Sequence, residues 1–323
     1  MPELSRRMAL KSALAASALG GLALTATPAR GTESPPRRQA MGVYRTRVGD
    51  AVVTALLDGY IDIQPQWWLN TPPEALQGAL ERQFLPPGPL RISVNAYLIE
   101  LDGQLIAIDS GAAQFFGSGA GHYARQLAGL GIEPNAIDAV VLTHLHPDHL
   151  GGMIQGDRRV FANAAVYVNG LEHNYWTSTR LQAQAPDYAR PWFDAAAGLT
   201  RLYGEGLQFF QGETEVLPGL VAIPLYGHTP GHSGLILSSK GEQLFFWGDV
   251  TDFTALQLNH PERTLVFDID PRAGEAARRR AIALAAEDGL QIAGSHVPFP
   301  SFGYLGRQGE GYRFVPAPWQ HEL

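Results

Sequence analysis

The 323-residue sequence contains no cysteine, which excludes disulfides, thiolate metal ligands and a cysteine nucleophile. It also lacks the Gly-x-Ser-x-Gly nucleophile elbow that marks many serine hydrolases. Charged residues make up only 17% of the chain and the formal net charge is -7, so there is no basic surplus for holding a polyanion. We therefore expect no nucleic-acid partner. The one basic run, Arg278-Arg279-Arg280, lies in a predicted helix over residues 272–287, and we interpret it as a solvated face.

Long hydrophobic runs are also absent. Residues 5–11 resemble a twin-arginine export signal, and a short, weakly apolar stretch over 13–26 precedes an A-x-A-like cleavage site at Thr27-Pro28-Ala29. A membrane anchor is the alternative, but a span needs about 20 strongly apolar residues. We predict a signal peptide over 1–29, a flexible arm over 30–42 and one domain over 43–323, with export to the periplasm and no stable membrane association after cleavage.

The segment 143–149, THLHPDH, places three imidazoles and a carboxylate within six residues of one another. It follows the apolar run 139–142, which predicts a buried strand. Alternate side chains of an extended segment point the same way, so His144 and His146 can face one metal ion. Pro147 then turns the chain so that Asp148 and His149 can face a second ion. Imidazole and carboxylate are ligands that suit Zn²⁺.

Three later strand-like runs also end in metal-binding residue types. GHTPGH, residues 227–232, follows the run 220–223, Asp249 follows 243–247, and His296 follows 292–293. We expect His232 to support the centre or to start a helix. The strand ends together predict two metal sites bridged by Asp249, with His144, His146 and His228 on one ion and Asp148, His149 and His296 on the other.

With its HxHxDH, GHTPGH, strand-ending aspartate and late histidine, the chain resembles the metallo-β-lactamase superfamily. Within it, segments 54–59, 109–113 and 311–316 look most like the methyl parathion hydrolase group and its lactone- and aryl-ester-hydrolysing relatives. The resemblance implies an α/β fold, an αββα sandwich of two packed β-sheets flanked by helices. It also implies that Asp109 supports the metal loop by hydrogen bonding and is not a ligand.

The chemistry expected of such a centre is hydrolysis by a hydroxide bridging two Zn²⁺ or other divalent metal ions, with no protein nucleophile. Asp148 and Asp249 are the predicted catalytic residues, and Asp148 would receive the proton. By the same resemblance, segment 186–192 is one residue shorter than in the phosphotriester-cleaving relatives, and Phe267 stands where they carry a smaller side chain. Both differences would narrow the site, so we expect lactones or aryl esters as substrates and organophosphate triesters as a side activity. The resemblance also implies a substrate pocket that consists of Phe116, Trp176, Trp192 and Phe267.

Several alternatives stay open. Organophosphate hydrolysis of the methyl parathion type is one candidate for the main activity. A glyoxalase II-like thioesterase would share every ligand, but its anionic substrate calls for basic pocket residues that the sequence does not identify. An exported zinc-binding protein without enzymatic activity is disfavoured because no ligand is missing. A homodimer is also compatible with the sequence, since Trp67-Trp68 fits a subunit contact as well as a core position.

The remaining chain gives a coarse assignment of secondary structure. We predict a strand over 52–57, a hairpin of strands 95–100 and 105–108 around Asp102-Gly103, and helices over 122–130, 171–179 and 192–197. The connection 178–191 has little apolar periodicity, so we predict a loop that covers or lines the pocket.

Overall fold

Two seven-stranded β-sheets form the centre of the structure, a computed structural model that describes residues 39–323. The predicted signal peptide and most of the predicted arm lie outside the described residues. In spatial order, the first sheet consists of β1 (Val43–Val48), β2 (Ala51–Ile63), β3 (Leu90–Leu101), β4 (Gln104–Ile108), β5 (Ala139–Val141), β8 (Ala165–Asn169) and β9 (Leu207–Phe210).

The second sheet follows the chain without rearrangement. Its strands are β10 (Thr214–Leu217), β11 (Leu220–Pro224), β12 (Ser233–Ser239), β13 (Glu242–Phe246), β14 (Gln291–Ala293), β15 (Gly303–Gln308) and β16 (Gly311–Pro316). A small ribbon pairs β6 (Ile154–Gln155) with β7 (Arg158–Arg159). Most neighbours are antiparallel, but β5 is parallel to β4 and β8, β8 is parallel to β9, and β13 is parallel to β14. The strands β5, β13 and β14 precede three of the predicted metal loops, whereas β11, which precedes His228, is antiparallel to both of its neighbours.

Eight α-helices accompany the sheets within the described residues. They are α1 (Pro73–Arg82), α2 (Tyr123–Gly129), α3 (Pro147–Leu150), α4 (Gly170–Trp176), α5 (Thr179–Gln184), α6 (Arg190–Tyr203), α7 (Thr254–Gln257) and α8 (Pro271–Glu287). No helix in this part of the chain is long and apolar enough to cross a membrane.

Side chains that alternate along each strand build three apolar layers. On β3, Ile99 points into the core between the two sheets, whereas its neighbour Leu98 points to the outer face that α2 and α6 cover. The second sheet repeats this arrangement, with Phe246 in the central core and Phe245 against α8. The predicted sandwich of two sheets between helices is therefore confirmed.

Two local predictions are correct only in part. The segment 178–191 is not a plain loop, because it contains α5, which begins where the Ser178 hydroxyl accepts a hydrogen bond from the Leu181 amide at 3.3 Å. The helix was missed because its sequence, TRLQAQ, has no buried residue and so no apolar period. In the basic run 278–280, Arg279 and Arg280 are exposed as predicted, but Arg278 is not. Only 2% of it is exposed, and its guanidinium donates to the carbonyl of Val250 at 2.6 Å.

Asp58 ties β2 to the chain that supports the predicted metal loop. Its buried carboxylate accepts hydrogen bonds from the backbone amides of Ala112, Gly121 and Tyr123 at 2.7–2.9 Å. Burial raises the pKa of Asp58, although these three amides act to lower it. The carboxylate therefore replaces water for amides that no strand partner reaches.

We expect Asp58→Ala to lower the free energy of unfolding by about 3 kcal/mol, because it leaves three amides without an acceptor. Urea unfolding followed by circular dichroism would measure the change. As a control, Asp157→Ala removes an exposed carboxylate paired with Arg201 and should stay within about 0.5 kcal/mol of the parent. Equal stability of the two variants would contradict the role assigned to Asp58.

Candidate metal centre

Loops at four strand ends bring the predicted ligands together. The segment after β5 carries His144 and His146 and continues into α3 with Asp148 and His149. His228 follows β11, Asp249 follows β13 and His296 follows β14. All seven side chains are at least nine-tenths buried. The structure thus brings together every residue that the sequence assigned to the metal sites.

One carboxylate oxygen of Asp249 lies at the middle of this cluster. Its Oδ2 atom is 3.0 Å from Nε2 of His296, 3.3 Å from Nε2 of His149, 3.4 Å from Nε2 of His228 and 3.6 Å from Nε2 of His144. Two imidazoles from each of the two predicted ligand sets therefore converge on one oxygen. This is the position expected of a carboxylate shared by two cations.

The other ring nitrogen of each of these four histidines is held by an oxygen. Nδ1 of His149 lies 2.8 Å from Oδ2 of Asp109, and Nδ1 of His228 lies 2.7 Å from Oδ1 of Asp268. Nδ1 of His296 lies 2.8 Å from the carbonyl oxygen of Ser93, and Nδ1 of His144 lies 3.2 Å from Oγ1 of Thr143. Such partners fix the ring orientation and leave Nε2 facing inward, as is usual for metal-binding histidines.

The donor set fits divalent cations. His144, His146, His228 and Asp249 offer ligand atoms within 4.8 Å of one another, and so do Asp148, His149 and His296. Among the described residues, Nε2 of His144, Nε2 of His149 and Oδ1 of Asp249 have no hydrogen-bond partner despite their burial. Buried polar atoms without a partner are costly, so these atoms need a ligand. The cluster has the residue types and the available lone pairs of a site that holds metal ions.

Electrostatics agree with this interpretation. Burial acts to raise the pKa of Asp249, but the neighbouring charges of His149, His296 and His144 outweigh it and hold the pKa well below its usual range. Burial lowers the pKa of His228, yet its hydrogen bonds to Asp249 and Asp268 raise it to about 10. The carboxylate is therefore ionised and attracts positive charge to the centre of the cluster. Metal ions would take the place of the imidazole protons.

Asp109 and His232 lie just behind the cluster, where the sequence suggested supporting residues. Asp109 accepts hydrogen bonds from the amide and hydroxyl of Thr143, both at 2.8 Å, in addition to its contact with His149. His232 lies in the turn before β12, so it does not start a helix. Its Nε2 accepts from the Asp249 amide at 3.0 Å, and burial lowers its pKa to about 4, which keeps the ring neutral.

Gly248 makes this contact with His232 feasible. A Cβ atom at Gly248 would stand 2.5 Å from Nε2 of His232, and the residue has a φ of +57°, which disfavours other side chains. The glycine in the sequence Trp-Gly-Asp therefore serves a close approach that orients the backbone of Asp249.

Glu172 joins the two main metal loops and was not identified from the sequence. Its buried carboxylate accepts from the Leu145 amide at 3.0 Å in one loop and from the Gly231 amide at 2.8 Å in the other. The indole of Trp176 also donates to it, at 2.7 Å. Burial raises the pKa of Glu172 against the effect of these donors. No local pattern distinguishes this residue from other glutamates on helices.

Asp268 is a second supporting residue that the sequence did not reveal. It contacts Nδ1 of His228 through Oδ1, while Oδ2 lies 3.5 Å from Nη2 of the buried Arg278 and accepts from the Thr264 hydroxyl. Burial acts to raise the pKa of Asp268, but the hydrogen bond to His228 and the charge of Arg278 lower it to about 2. The basic residue that we assigned to a solvated face thus compensates the charge of this carboxylate.

A mainly apolar cavity of about 430 Å³ opens onto the cluster. His146, Asp148, His228, Asp249 and His296 form its floor. Aliphatic and aromatic side chains form its walls, namely Ile61, Ile63, Trp67, Ile92, Phe115, Phe116, Tyr188, Trp192, Val266 and Phe267. We call this space the reaction cavity. No lysine or arginine among the described residues lines it.

The predicted pocket residues fall into two groups. Phe116, Trp192 and Phe267 line the reaction cavity. Trp176 does not, because its ring is 1% exposed and packs behind His146, with its indole engaged by Glu172. Of the aromatic pair considered as a subunit contact, Trp67 lines the cavity and Trp68 is in the core.

Asp252 is a further cavity carboxylate that the sequence did not indicate. Together with Asp249 and His296 it forms a third group of potential ligand atoms within 4.8 Å of one another. Burial raises the pKa of Asp252 to about 6. Its place three residues after Asp249 in the same loop is the only signal in the sequence.

The family model for the metallo-beta-lactamase superfamily matches residues 90–296, which is well over half of the chain and includes all seven clustered residues. The chain belongs to the metallo-beta-lactamase superfamily. AbOPH, a hydrolase in the beta lactamase superfamily, is 30% identical to this chain in sequence. Its crystal structure matches 88% of this chain and 100% of its own, with a TM-score of 0.81.

Two lactonases are also similar to this chain, one in fold and one over part of its sequence. AidC, a dizinc quorum-quenching lactonase solved with N-hexanoyl-L-homoserine as product, is 22% identical, with a TM-score of 0.82 over 87% of this chain and 99% of that one. An N-acyl homoserine lactonase from Bacillus sp. is 25% identical over 111 residues, which are 34% of this chain. The matched stretch spans 37% of that lactonase, so little more than a third of its length is compared.

We expect Asp268→Ala to weaken binding of Zn²⁺ by about 10- to 100-fold, because His228 loses the carboxylate that orients its ring. Competition with a chromophoric chelator would measure the affinity. Asp268→Asn, which keeps an acceptor oxygen, should lose less. Asp288→Ala removes an exposed carboxylate of similar position along the chain and should bind as the parent does. Unchanged affinity in Asp268→Ala would refute this orienting role.

Proposed function

We propose that this protein is a metal-dependent hydrolase of lactones or aryl esters that uses two Zn²⁺ or related divalent ions. The observation that carries the proposal is the convergence of four imidazole Nε2 atoms on Oδ2 of Asp249 beneath an apolar cavity. His144, His146 and His228 would hold one ion, Asp148, His149 and His296 the other, and Asp249 both.

Bound ions of this kind polarise an ester oxygen and lower the pKa of water, so a protein nucleophile is not required. The residues of the chain then have definite tasks. Asp249 keeps the two sites together, and Asp148, which lines the cavity, accepts the proton of the attacking water at a carboxylate oxygen. The imidazoles of His144, His149, His228 and His296 keep their orientation through the oxygens at Nδ1. The apolar walls exclude bulk water and so strengthen these electrostatic interactions.

The cavity supports a neutral substrate. Because no lysine or arginine of the described residues lines it, the anionic thioesters of a glyoxalase II-like enzyme find no lysine or arginine counter-charge there. Phe267 stands over the site with Trp67 and Trp192, at ring-centroid distances of 5.5 and 5.9 Å. These rings favour a planar lactone or aryl ester over a tetrahedral phosphorus with three substituents. The lactonases among the relatives support the same substrate class.

We expect the purified protein to contain about two divalent ions per chain, as a dinuclear centre requires. Elemental analysis by mass spectrometry would count them. Asp249→Ala should lose both metal and hydrolysis while its circular dichroism spectrum remains that of the folded chain. One ion or none in the parent, or full activity in Asp249→Ala, would reject the dinuclear mechanism. Metal bound without any hydrolysis would favour a zinc-binding protein instead.

We expect a simple lactone and an aryl acetate to be better substrates than a dimethyl aryl phosphorothioate, because the aromatic walls crowd a tetrahedral centre. Comparison of kcat/KM for the three compounds with the zinc-loaded protein would rank them. Phe267→Ala should improve the phosphorothioate relative to the acetate by relieving this crowding. A parent protein that prefers the phosphorothioate by orders of magnitude would instead be an organophosphate hydrolase.

A further inference from the structure

A second cavity of about 220 Å³ adjoins the reaction cavity. The two spaces have four lining residues in common, namely Tyr188, Trp192, Val266 and Phe267. We call these four residues the partition. The second cavity continues beyond it between α5, α6 and the chain around Ile269. The same side chains thus present one surface to the metal centre and another to the second space.

The second cavity is suited to hydrocarbon. Beyond the partition its walls are mainly apolar, including Leu181, Ala185, Pro186 and Phe193. Among its described lining residues there is no charged side chain. Burial of a hydrocarbon group in such a space is favourable in proportion to the area removed from water. A polar or charged ligand would find little to compensate its lost hydration.

The partition has one side chain that can yield. Tyr188 is 48% exposed and is held to the opposite segment by a single hydrogen bond from its hydroxyl to the carbonyl of Val266, at 3.2 Å. By contrast, Trp192 is wedged against His146, with ring centroids 5.0 Å apart. A displaced Tyr188 ring would connect the two cavities without disturbing a predicted metal ligand.

We propose that the second cavity receives the distal part of an apolar acyl chain whose ester or lactone group lies over the metal centre. Tyr188 acts as the side chain that separates short from long acyl groups. This inference rests on the proposed function, since it places the reacting group in the reaction cavity. It adds that the natural substrates carry a linear hydrocarbon arm, and that their length selectivity is set beyond the partition.

A series of 4-nitrophenyl esters, from acetate through butyrate and octanoate to decanoate, would test the proposal with the zinc-loaded protein. The quantity to follow is the ratio of kcat/KM for decanoate to that for acetate. Each methylene buried in the second cavity should raise kcat/KM about fourfold until the space is full. We expect Ala185→Phe, which fills the cavity from its far side, to reduce the ratio at least tenfold.

Ala183→Phe is the matched control, because Ala183 lies on α5 two residues before Ala185, is exposed and does not line the cavity. It should keep the parent ratio. Tyr188→Phe removes only the hydroxyl that donates to the carbonyl of Val266, whereas Tyr188→Ala removes the whole ring. The ratio of decanoate to acetate should therefore be higher in Tyr188→Phe than in the parent, and highest in Tyr188→Ala. Tyr188→Ala combined with Ala185→Phe should lose this gain.

The outcomes distinguish a failure of the acyl-chain site from a failure of the proposed function. If Ala185→Phe and Ala183→Phe have the same ratio, or if the parent gains nothing from longer acyl chains, the second cavity does not bind the arm and this inference is wrong. Hydrolysis of the acetate would still support the proposed function. If the zinc-loaded parent hydrolyses no member of the series, including the acetate, the ester-hydrolase proposal itself fails and the acyl-chain inference falls with it.

Discussion

The position of one buried carboxylate oxygen, Oδ2 of Asp249, determines how the rest of the site is built. Four imidazoles approach it within 3.6 Å, and a buried charge is tolerated only when such partners compensate it. Each of those imidazoles in turn needs an oxygen on its outer nitrogen. The imidazoles around Asp249 therefore contact a second layer of carboxylates, Asp109 behind His149 and Asp268 behind His228. The charge of Asp268 is in turn compensated by Arg278.

Much of this centre is predictable from the sequence because strands and ligands coincide. Apolar runs such as 139–142 mark buried strands, and each of these runs is followed closely by a residue type that binds metal. For that reason His144, His228, Asp249 and His296 could be grouped by their positions in the sequence alone. Glu172, Asp268 and Arg278 could not, since their partners lie far away in the chain and their local sequences resemble ordinary helix and loop surfaces. Only tertiary packing turns them inward.

The residues that line the reaction cavity are likewise predictable from the sequence only in part. The sequence indicates that aromatic rings gather near the metal loops, yet Trp176 and Trp192 occur on neighbouring helices with no difference in local pattern. The ring of Trp176 is taken up by Glu172, whereas that of Trp192 faces the cavity. Which ring contacts solvent or substrate thus depends on the crossing of α4 and α6 and on one buried acceptor.

The seven clustered side chains are divided between the sheets. His144, His146, Asp148 and His149 belong to the loop after β5 in one sheet, while His228, Asp249 and His296 follow strands of the other. A cation bound by these side chains would cross-link the two sheets of the sandwich at this edge. Chelators would then act on the cohesion of the whole molecule as well as on catalysis, because binding free energy contributes to folding.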